Sequence, residues 1–509
     1  MKTATSRRTP RPSRASATRV FRPSPEGLEP RTVLSTITVT LATDPGGAHA
    51  GVSLRDALVA VNAGRATAVS FNIPGPGVKT LEVGSALPVV AKAVTIDGTT
   101  EPGYAGKPLI LLKPANALVQ GDGLAISAGG STVRGLAIVG FPGFGIHLRE
   151  GGGDKVEANF LGIDATGKAA RGNGTGGLWI ENSSGNTIGG AAATGNVISG
   201  NGGDGIRADK GSGGNTVAYN AVGTDRDGTI ALPNANDGVA FIGDNNPAPN
   251  RVLNNVIATN FHYGIRVENS TNVVVQGNTV RGNLGRGVAI LGSSLVTVGG
   301  TAAGLGNRIT GNGLRDVDAA GVAVVSGSSA VTVVGNDLTG NGRGMRISGS
   351  GVPTAAGQPA SIVVANNAIS GNATQGILMD NVFGGASRNV QLVGNSISGN
   401  GLNGLHVEGV TNLTLGGVGL PGNVAERNGL NGAYFAGSTR VTMIGNTFAA
   451  NGNDGVLIAA GCTDITLPSG NRVVNNVGWG VEILSTPVPA PSLTANAFSG
   501  NRKGNIKKW

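Results

Sequence analysis

Short apolar runs, too short for helices, recur along most of the chain. A typical stretch contains three of them, at residues 264–267, 273–275 and 279–280. Val, Ile and Thr dominate these runs and favour β-strands. Side chains alternate between the two faces of a strand, so Ile265 and Val267 are expected on one face and Arg266 on the other. The pattern predicts short strands with an apolar inner face and a polar outer face.

A second pattern pairs asparagines five residues apart within the unit Gly-Asn-x-hydrophobic-x-x-Asn. Eleven pairs have this spacing: Asn196 and Asn201, Asn255 and Asn260, Asn278 and Asn283, Asn307 and Asn312, Asn336 and Asn341, Asn367 and Asn372, Asn395 and Asn400, Asn423 and Asn428, Asn446 and Asn451, Asn471 and Asn476, and Asn496 and Asn501. Equivalent asparagines in successive coils can bond to one another, which favours a structural amide ladder over a sugar or Ca²⁺ site. The Gly beside each Asn is expected to supply the positive φ of a tight turn.

The pairs recur with a minimum period of 23 residues, to which loops of variable length are added. A unit of this length cannot bury its apolar face alone and has to stack on its neighbours. Residues 69–505 resemble the right-handed parallel β-helix of the pectin-lyase-like superfamily. The resemblance implies an all-β, single-stranded right-handed parallel β-helix (a solenoid) of roughly 14 coils. It implies no particular activity, because one fold carries many functions.

Residues 53–62 predict a short amphipathic helix before the repeats. Four apolar residues fall on one helical face: Leu54, Ala57, Leu58 and Val61. Ser53 precedes them as an N-cap, with Asp56 three residues on. The run Ser-Leu-Arg-Asp-Ala-Leu resembles the SLREAI element that precedes many secreted parallel β-helix proteins, with Val52 where that family often has Cys. An open stack of strands exposes its first edge, so we expect the helix to cover that edge as a cap.

Composition divides the chain into three parts. Residues 1–36 are rich in Ser, Thr, Pro and Arg, which predicts a disordered basic tail. Residues 37–120 are expected to hold the cap and the first coils, and residues 121–509 the β-helix. Residues 27–35 resemble the LEPR-type N-terminal motif of large exported proteins in planctomycete bacteria. This resemblance implies an extracellular or cell-surface protein, although the tail lacks the apolar core of an ordinary secretory signal.

The net charge of +9 does not indicate nucleic-acid binding. Residues 1–31 hold eight Lys or Arg and two acidic residues, so most of the excess charge lies in the tail. The single cysteine, Cys462, excludes an internal disulfide framework. No run of about 18 apolar residues occurs, so no transmembrane segment is expected. We therefore expect no nucleic-acid partner.

Functional side chains are expected on the outward positions of the strands. The residue two places after the recurrent Gly gives one column: His147, Trp179, Arg207, Ala240, Arg266, Ala289, Ala323, Arg346, Leu378, His406, Tyr434, Leu457 and Glu482. This outward column begins with polar and aromatic residues. Its alanines, in the middle, are expected to be exposed to solvent. Two related long loops, residues 161–173 and 222–234, are expected beside the polar start.

Seven residues form the candidate binding cluster: Trp179, Arg207, Asp209, His262, Tyr263, Arg266 and Glu268. Trp and Tyr can stack on sugar rings, and Arg pairs with the carboxylates of uronic acids. The alternative is a solvated face, on which Arg207 with Asp209 and Arg266 with Glu268 form pairs at neighbouring positions.

Motifs for catalysis and for metals are missing from the sequence. Polygalacturonase-like enzymes of this fold carry Asn-x-Asp, Asp-Asp, Gly-His-Gly and Arg-x-Lys, and none of these occurs. Pectate lyases hold Ca²⁺ in an acidic cluster. Five residues could contribute to one, but their spacing matches no recognised loop: Asp204, Asp209, Asp225, Asp227 and Asp237. We expect no metal and no other cofactor.

Two functions stay open at this point. The first is an exported β-helix that binds extracellular polysaccharide or serves as a structural spacer. The second is a polysaccharide lyase or a glycoside hydrolase that acts on an acidic glycan near residues 179–268. No catalytic residue is assigned.

Overall fold

The computed structural model of the chain describes residues 35–45, 49–316, 319–351, 361–383, 385–484 and 493–508. Within these ranges the strands form three parallel sheets of 16, 16 and 15 strands. The predicted tail lies outside the described residues except for its last two positions. Each coil passes through the first, second and third sheet in turn.

Successive strands of each sheet come from successive coils. The first sheet contains Thr36–Val39, Ala68–Phe71, Thr95–Asp97, Thr132–Arg134, Lys155–Glu157, Thr187–Gly189, Thr216–Ala218, Asn250–Leu253, Thr271–Gln276, Ser294–Gly299, Ser329–Val334, Ile362–Ala365, Arg388–Val393, Thr411–Gly416, Thr439–Ile444 and Thr463–Ser469. The second sheet contains Lys79–Val83, Ile110–Pro114, Leu136–Ile138, Phe160–Leu161, Val197–Ile198, Ala221–Val222, Val256–Ala258, Thr279–Arg281, Arg308–Thr310, Asp337–Thr339, Ala368–Ser370, Ser396–Ser398, Val424–Glu426, Thr447–Ala449, Arg472–Val474 and Ala497–Ser499. The third sheet contains Leu124–Ile126, Phe144–Arg149, Gly176–Glu181, Asp204–Asp209, Val239–Ile242, Ile265–Glu268, Val288–Leu291, Val322–Val325, Met345–Ser348, Ile377–Asp380, Leu405–Glu408, Ala433–Ala436, Val456–Ile458, Trp479–Ile483 and Gly504–Lys508.

The interior of the coils is a continuous aliphatic core. Ile265 and Val267 point inward from the third sheet, Val273 and Val275 from the first, and Val280 from the second, and all five are fully buried. Arg266, between the first two, keeps a quarter of its side chain exposed. The prediction of a single-stranded right-handed parallel β-helix is confirmed. The first coils, between residues 36 and 126, lack the paired asparagines, which is why the predicted number of coils is slightly low.

Two asparagine ladders run along the corners of the coils. The ladder between the first and second sheets contains Asn159, Asn196, Asn220, Asn255, Asn278, Asn307, Asn336, Asn367, Asn395, Asn423, Asn446, Asn471 and Asn496. The ladder between the second and third sheets contains Asn173, Asn201, Asn234, Asn260, Asn283, Asn312, Asn341, Asn372, Asn400, Asn428, Asn451, Asn476 and Asn501. At each step a backbone N–H donates to the Oδ1 of the asparagine in the next coil, which fixes the register. The predicted amide ladder is confirmed.

The glycines beside the asparagines have two different roles. Gly277, before Asn278, has a φ of +67°, as predicted for a tight turn. Gly429, after Asn428, lacks a positive φ, and a Cβ there would overlap the carbonyl oxygen of Gly401. Gly264, at the start of a third-sheet strand, is similar, because its Cβ would lie 2.6 Å from the carbonyl oxygen of Gly287. The positive-φ explanation is therefore wrong for Gly429. At Gly429 and Gly264 the close approach of neighbouring coils requires glycine.

The predicted helix spans Leu54–Asn62, and a short 3₁₀ turn spans Gly98–Thr100. Ser53 and Asp56 form a reciprocal capping box. The predicted apolar face is buried, and the helix packs against the first two strands of the first sheet. This arrangement confirms the helix as a cap over the first coils.

The two long loops lie between the second and third sheets and pack back on the outside of the second sheet. Ile163 of one loop and Leu232 of the other join an apolar cluster with the outward residues Phe160, Val197 and Ala221. The loops therefore cover the second sheet. The expectation that they flank the outward column on the third sheet is wrong, because their apolar residues pack on the apolar outer side of the second sheet.

Candidate functional site

Strand pairing on the third sheet aligns the outward column. His147 pairs with Trp179, Trp179 with Arg207, Arg207 with Ala240, and Ala240 with Arg266. Adjacent parallel strands lie about 4.8 Å apart, so these side chains are neighbours on one face. The register predicted from the recurrent Gly is therefore correct along this part of the column.

Trp179 is held on several sides by its neighbours. Its indole stacks on His147, with ring centroids 4.1 Å apart, and its Nε1 donates to Asp209 Oδ1 at 3.0 Å. Lys210 Nζ lies 5.6 Å from the ring centroid. One face of the indole is thus occupied by His147, and a sugar could reach only the remaining face and edge.

His147 itself is clamped between two carboxylates. Its Nδ1 lies 2.9 Å from Asp122 Oδ2, and its Nε2 lies 2.9 Å from Glu181 Oε2. Lys210 Nζ also donates to Glu181, at 2.5 Å. Burial alone would raise the pKa of Glu181, but Lys210 and His147 hold it below its usual value. Glu181, Lys210 and Asp122 were not among the predicted site residues, because their partners lie in other coils.

Arg207 and Asp209 form the ion pair that the alternative interpretation expects. Arg207 Nε donates to Asp209 Oδ2 at 2.9 Å. The two partners differ in exposure, since 39% of the Arg207 side chain is exposed but only 7% of the Asp209 side chain. The pair therefore presents its cation to solvent and keeps its carboxylate inside.

Arg266 repeats this arrangement two coils further on. It forms ion pairs with Glu268 and with Asp237, whose Oδ2 lies 3.5 Å from Arg266 Nη1. Asp237 is fully buried. Burial alone would lower the pKa of Arg266, but the charges of Asp237 and Glu268 raise it. The guanidinium thus stays charged on the face.

Asp237 connects the predicted residues His262 and Tyr263 to a second buried carboxyl group. His262 Nδ1 lies 2.7 Å from Asp237 Oδ1, and the backbone N–H of Tyr263 donates to the same oxygen. In the preceding coil, Asp204 Oδ1 accepts a hydrogen bond from the backbone N–H of Asp237. Burial and the charge of Asp237 raise the pKa of Asp204. Asp204 could therefore hold or release a proton beside Asp237.

The structure places five of the seven predicted residues on third-sheet strands between residues 176 and 268, and His262 and Tyr263 in the turn just before the strand Ile265–Glu268. The middle of the outward column differs from its prediction, since Ala240, Ala289 and Ala323 are fully buried rather than solvated. Long side chains from neighbouring coils and Phe383 lie over this part of the face, as the cation–π contacts of Arg286 and Arg346 with Phe383 show. The sequence missed this covering because it is made from other coils.

The aspartates considered for Ca²⁺ do not form one site. Asp225 accepts hydrogen bonds from Thr229 and Ile230 within its own loop, away from Asp204 and Asp237 on the third sheet. Within the described ranges, no group of three or more His, Cys, Asp or Glu side chains is placed to hold a metal ion. In the same residues, no helix has the length and apolar character needed to cross a membrane.

Two described clefts lie away from the candidate binding cluster. One of about 740 Å³ is lined by Leu111, Lys113, Asp164 and Arg171 at the first long loop. Another of about 520 Å³ lies near Arg308 and Asp337. Neither cleft is lined by a residue of the candidate binding cluster.

Comparison with solved structures finds proteins of similar fold. The periplasmic alginate epimerase AlgG is 16% identical over 78% of this chain and 76% of its own, with a TM-score of 0.39. The A-module of the Azotobacter vinelandii mannuronan C-5 epimerase AlgE6 is 16% identical over 90% and 91%, with a TM-score of 0.33. Pectate lyase Pel9A is 14% identical over 66% and 76%, with a TM-score of 0.35. Their activities are properties of those proteins.

No curated protein matches the chain. The family model described as "Right handed beta helix region" matches residues 122–303, 301–418 and 386–507. These matches cover the repeats that carry the asparagine ladders and the third-sheet cluster. The chain therefore belongs to the right-handed β-helix family.

Proposed function

We propose that the third-sheet face between Trp179 and Glu268 binds an acidic polysaccharide. The observation that carries the proposal is that the cation is more exposed than the carboxylate in three ion pairs of this face: Arg207 with Asp209, Lys210 with Glu181, and Arg266 with Asp237. Arg207, Lys210 and Arg266 keep 39%, 61% and 25% of their side chains exposed, while Asp209 keeps 7% and Asp237 none. A ligand that approaches this face meets positive groups first.

The spacing of these cations suits an extended ligand. Arg207 and Arg266 lie two strands apart on the same face. This separation corresponds to about 9.6 Å of sheet, which is of the order of a disaccharide repeat. Guanidinium groups bind carboxylates in a planar, two-pronged geometry, so successive acidic sugars could pair with successive arginines.

A binding experiment tests the proposal directly. The double variant Arg207→Gln with Arg266→Gln should bind polygalacturonate at least tenfold more weakly than the parent, because each truncated contact is worth about 1 kcal/mol or more. The matched control is Arg251→Gln with Arg472→Gln, which removes two exposed arginines from other sheets. Unfolding midpoints are measured alongside. Equal binding by parent and double variant would contradict the proposal.

Catalysis on the same face is the second candidate. Asp204 and Asp237 are adjacent buried carboxyl groups, and His262 contacts one of them. Such a group can accept or donate a proton next to a glycan held by Arg266, as a lyase or a hydrolase requires. New unsaturated or reducing ends after incubation with polygalacturonate would support this candidate, and their loss in Asp237→Asn would assign them to the pair.

We also propose that the protein is exported and acts outside the cell or at its surface. Residues 1–36 would serve as the export tail, residues 37–120 as the cap and first coils, and residues 121–509 as the glycan-binding β-helix. The likeness of residues 27–35 and 53–58 to elements of exported proteins supports the proposal. Fractionation of the native host with an antibody against the β-helix tests it, and recovery in the cytoplasm alone would contradict it.

A further inference from the structure

Arg286 is a buried cation without an acidic partner. It is 8% exposed, and among the described residues no carboxylate forms an ion pair with it. Two other arginines of this face do have such partners. The buried Arg346, at 3% exposure, lies 2.8 Å from Asp380 Oδ2, and the partly exposed Arg266 pairs with Asp237. Arg286 differs from both.

Two aromatic rings surround its guanidinium group. The Cζ of Arg286 lies 5.5 Å from the ring centroid of Tyr263 and 5.6 Å from that of Phe383. Tyr263 comes from the preceding coil. The backbones of the two coils are hydrogen-bonded beside it, because the N–H of Gly264 donates to the carbonyl oxygen of Arg286. Phe383 follows the strand Ile377–Asp380, three coils further along, and lies over the intervening coils.

The position of Phe383 is fixed by other contacts. Its backbone N–H donates to Ser348 Oγ at 2.9 Å, and Ser348 in turn bonds to Asp380. Its ring also lies 4.5 Å from the Cζ of Arg346. The cation–π contacts of Arg286 with Tyr263 and Phe383 are therefore part of a larger set of fixed contacts.

Burying a charge without an opposite charge is unfavourable. Cation–π contacts recover only part of the free energy that is lost when a charged group is removed from water. None of the guanidinium nitrogens of Arg286 is among the described atoms that are both fully enclosed and without a hydrogen bond. They therefore remain within reach of solvent and of a small anionic group.

We infer that Arg286 receives an anionic substituent, the carboxylate or the sulfate ester of a bound glycan, between Tyr263 and Phe383. This inference rests on the proposed function and extends the binding face past Arg266 by one coil. The guanidinium pairs with the anion. The sugar that carries the anion meets only the edges of the two rings, because His262 stacks on Tyr263 and the guanidinium groups of Arg286 and Arg346 lie over Phe383. The occupant supplies the opposite charge that the described residues do not.

The test uses Arg286→Met in the full chain, with polygalacturonate, dextran sulfate and neutral dextran as probes. Arg286→Met should bind the probe that the parent prefers at least tenfold more weakly, while its unfolding midpoint stays equal or rises, because an unpaired buried charge has been removed. A merely structural arginine would lower the midpoint and leave the affinity unchanged. Arg251→Met, an exposed arginine on the first sheet, is the control and should bind as the parent does.

The two anionic probes distinguish the sources of the anion, since a carboxylate site prefers polygalacturonate and a sulfate site prefers dextran sulfate. If Arg286→Met does not fold, Arg286→Lys replaces it and should lose affinity through loss of the two-pronged geometry. Unchanged affinity in whichever variant folds overturns the inference. If Arg207 and Arg266 prove necessary while Arg286 does not, only this inference fails. If the parent binds no probe, the proposed function fails. Sodium sulfate then tests Arg286 alone, since at constant ionic strength it should raise the midpoint of the parent more than that of the variant, and an equal rise overturns the inference.

Discussion

Asn336 uses both ends of its side-chain amide. Its Nδ2 donates to the carbonyl oxygen of Val298 and to Asn367 Oδ1, both at 2.9 Å, and its Oδ1 accepts the backbone N–H of Asn307. A carboxylate has no hydrogens to donate, so Asn336→Asp would bring negative oxygens against two acceptors. The ladder therefore requires an amide at this residue.

We expect Asn336→Asp to lower the free energy of unfolding by about 1 to 3 kcal/mol at pH 7. Denaturant titration followed by circular dichroism measures the change. Asn366→Asp, at an exposed neighbour with a φ of +54°, is the control and should be close to neutral. Equal stability of the two variants would contradict the role of the ladder.

Asp154 occupies a step of a third row of polar side chains, in which Ser131, Asn186 and Asn215 are other members. Burial raises the pKa of Asp154 to about 6, against the opposing effect of a hydrogen bond from Ser131. A raised pKa in the folded state means that the folded state holds the proton more tightly. The stability from this group is therefore complete below about pH 4 and is lost as the pH rises to about 6.

Asp154→Asn should remove this pH dependence, because Asn186 shows that an amide fits the row. At pH 7 the variant should be more stable than the parent by up to about 3 kcal/mol, and at pH 4 the difference should vanish. Unfolding midpoints from pH 4 to pH 8 measure it. Asp227→Asn, at an exposed loop position, should follow the parent. If the midpoints of variant and parent differ by the same amount at every pH, Asp154 is not the group responsible for the pH dependence.

At residue level, the sequence predicts the features that recur at the same position in every coil. The Asn spacing of five and the position two after Gly identified the ladders and placed Trp179, Arg207 and Arg266 on one face. Arg286 was missed because it precedes its Gly, and its partner Phe383 comes from a loop about 100 residues further along the sequence. The place of a residue within its own coil does not show which side chains from other coils cover it. For the same reason, the alanines of the outward column were wrongly expected to be exposed to solvent.

At the level of elements, the sequence likewise did not show which surface the two long loops cover. Their relation to each other was visible in the sequence, but the surface that they cover depends on where the second sheet places Phe160, Val197 and Ala221. Deleting residues 163–171 would restore the five-residue spacing between Asn159 and Asn173 and would therefore preserve both ladders.

We expect this deletion variant to fold with the same β-rich spectrum, because the shortened coil matches that of Asn196 and Asn201. It should lose about 2 to 4 kcal/mol of stability, since Phe160 becomes exposed. Binding of polygalacturonate to the third sheet should be unchanged. A large loss of affinity in a fully folded deletion variant would indicate that the loop lies beside the binding face on the third sheet.

At the scale of the whole molecule, the positive charge is divided between two regions. Residues 1–31 hold eight basic and two acidic residues, and the rest of the chain is close to neutral. A basic tail attracts any polyanion, whereas the third-sheet face presents cations that are fixed by Asp209, Asp237 and Glu268. Binding by the tail and binding by the face should therefore respond differently to salt and to truncation.

We expect a chain that lacks residues 1–34 to keep its affinity for polygalacturonate within about threefold at physiological ionic strength, where salt screens the charges of the basic tail. Its affinity should fall as salt rises, while its unfolding midpoint barely changes, because buried ion pairs are screened less than exposed cations. Calorimetric titration in about 0.05 to 0.5 M NaCl measures the affinity, and thermal unfolding in the same buffers measures the midpoint, each against the full chain. The truncated double variant Arg207→Gln with Arg266→Gln should show no measurable affinity. If truncation alone abolishes binding, the polyanion is held by the tail, and the third-sheet face is a solvated surface of paired charges.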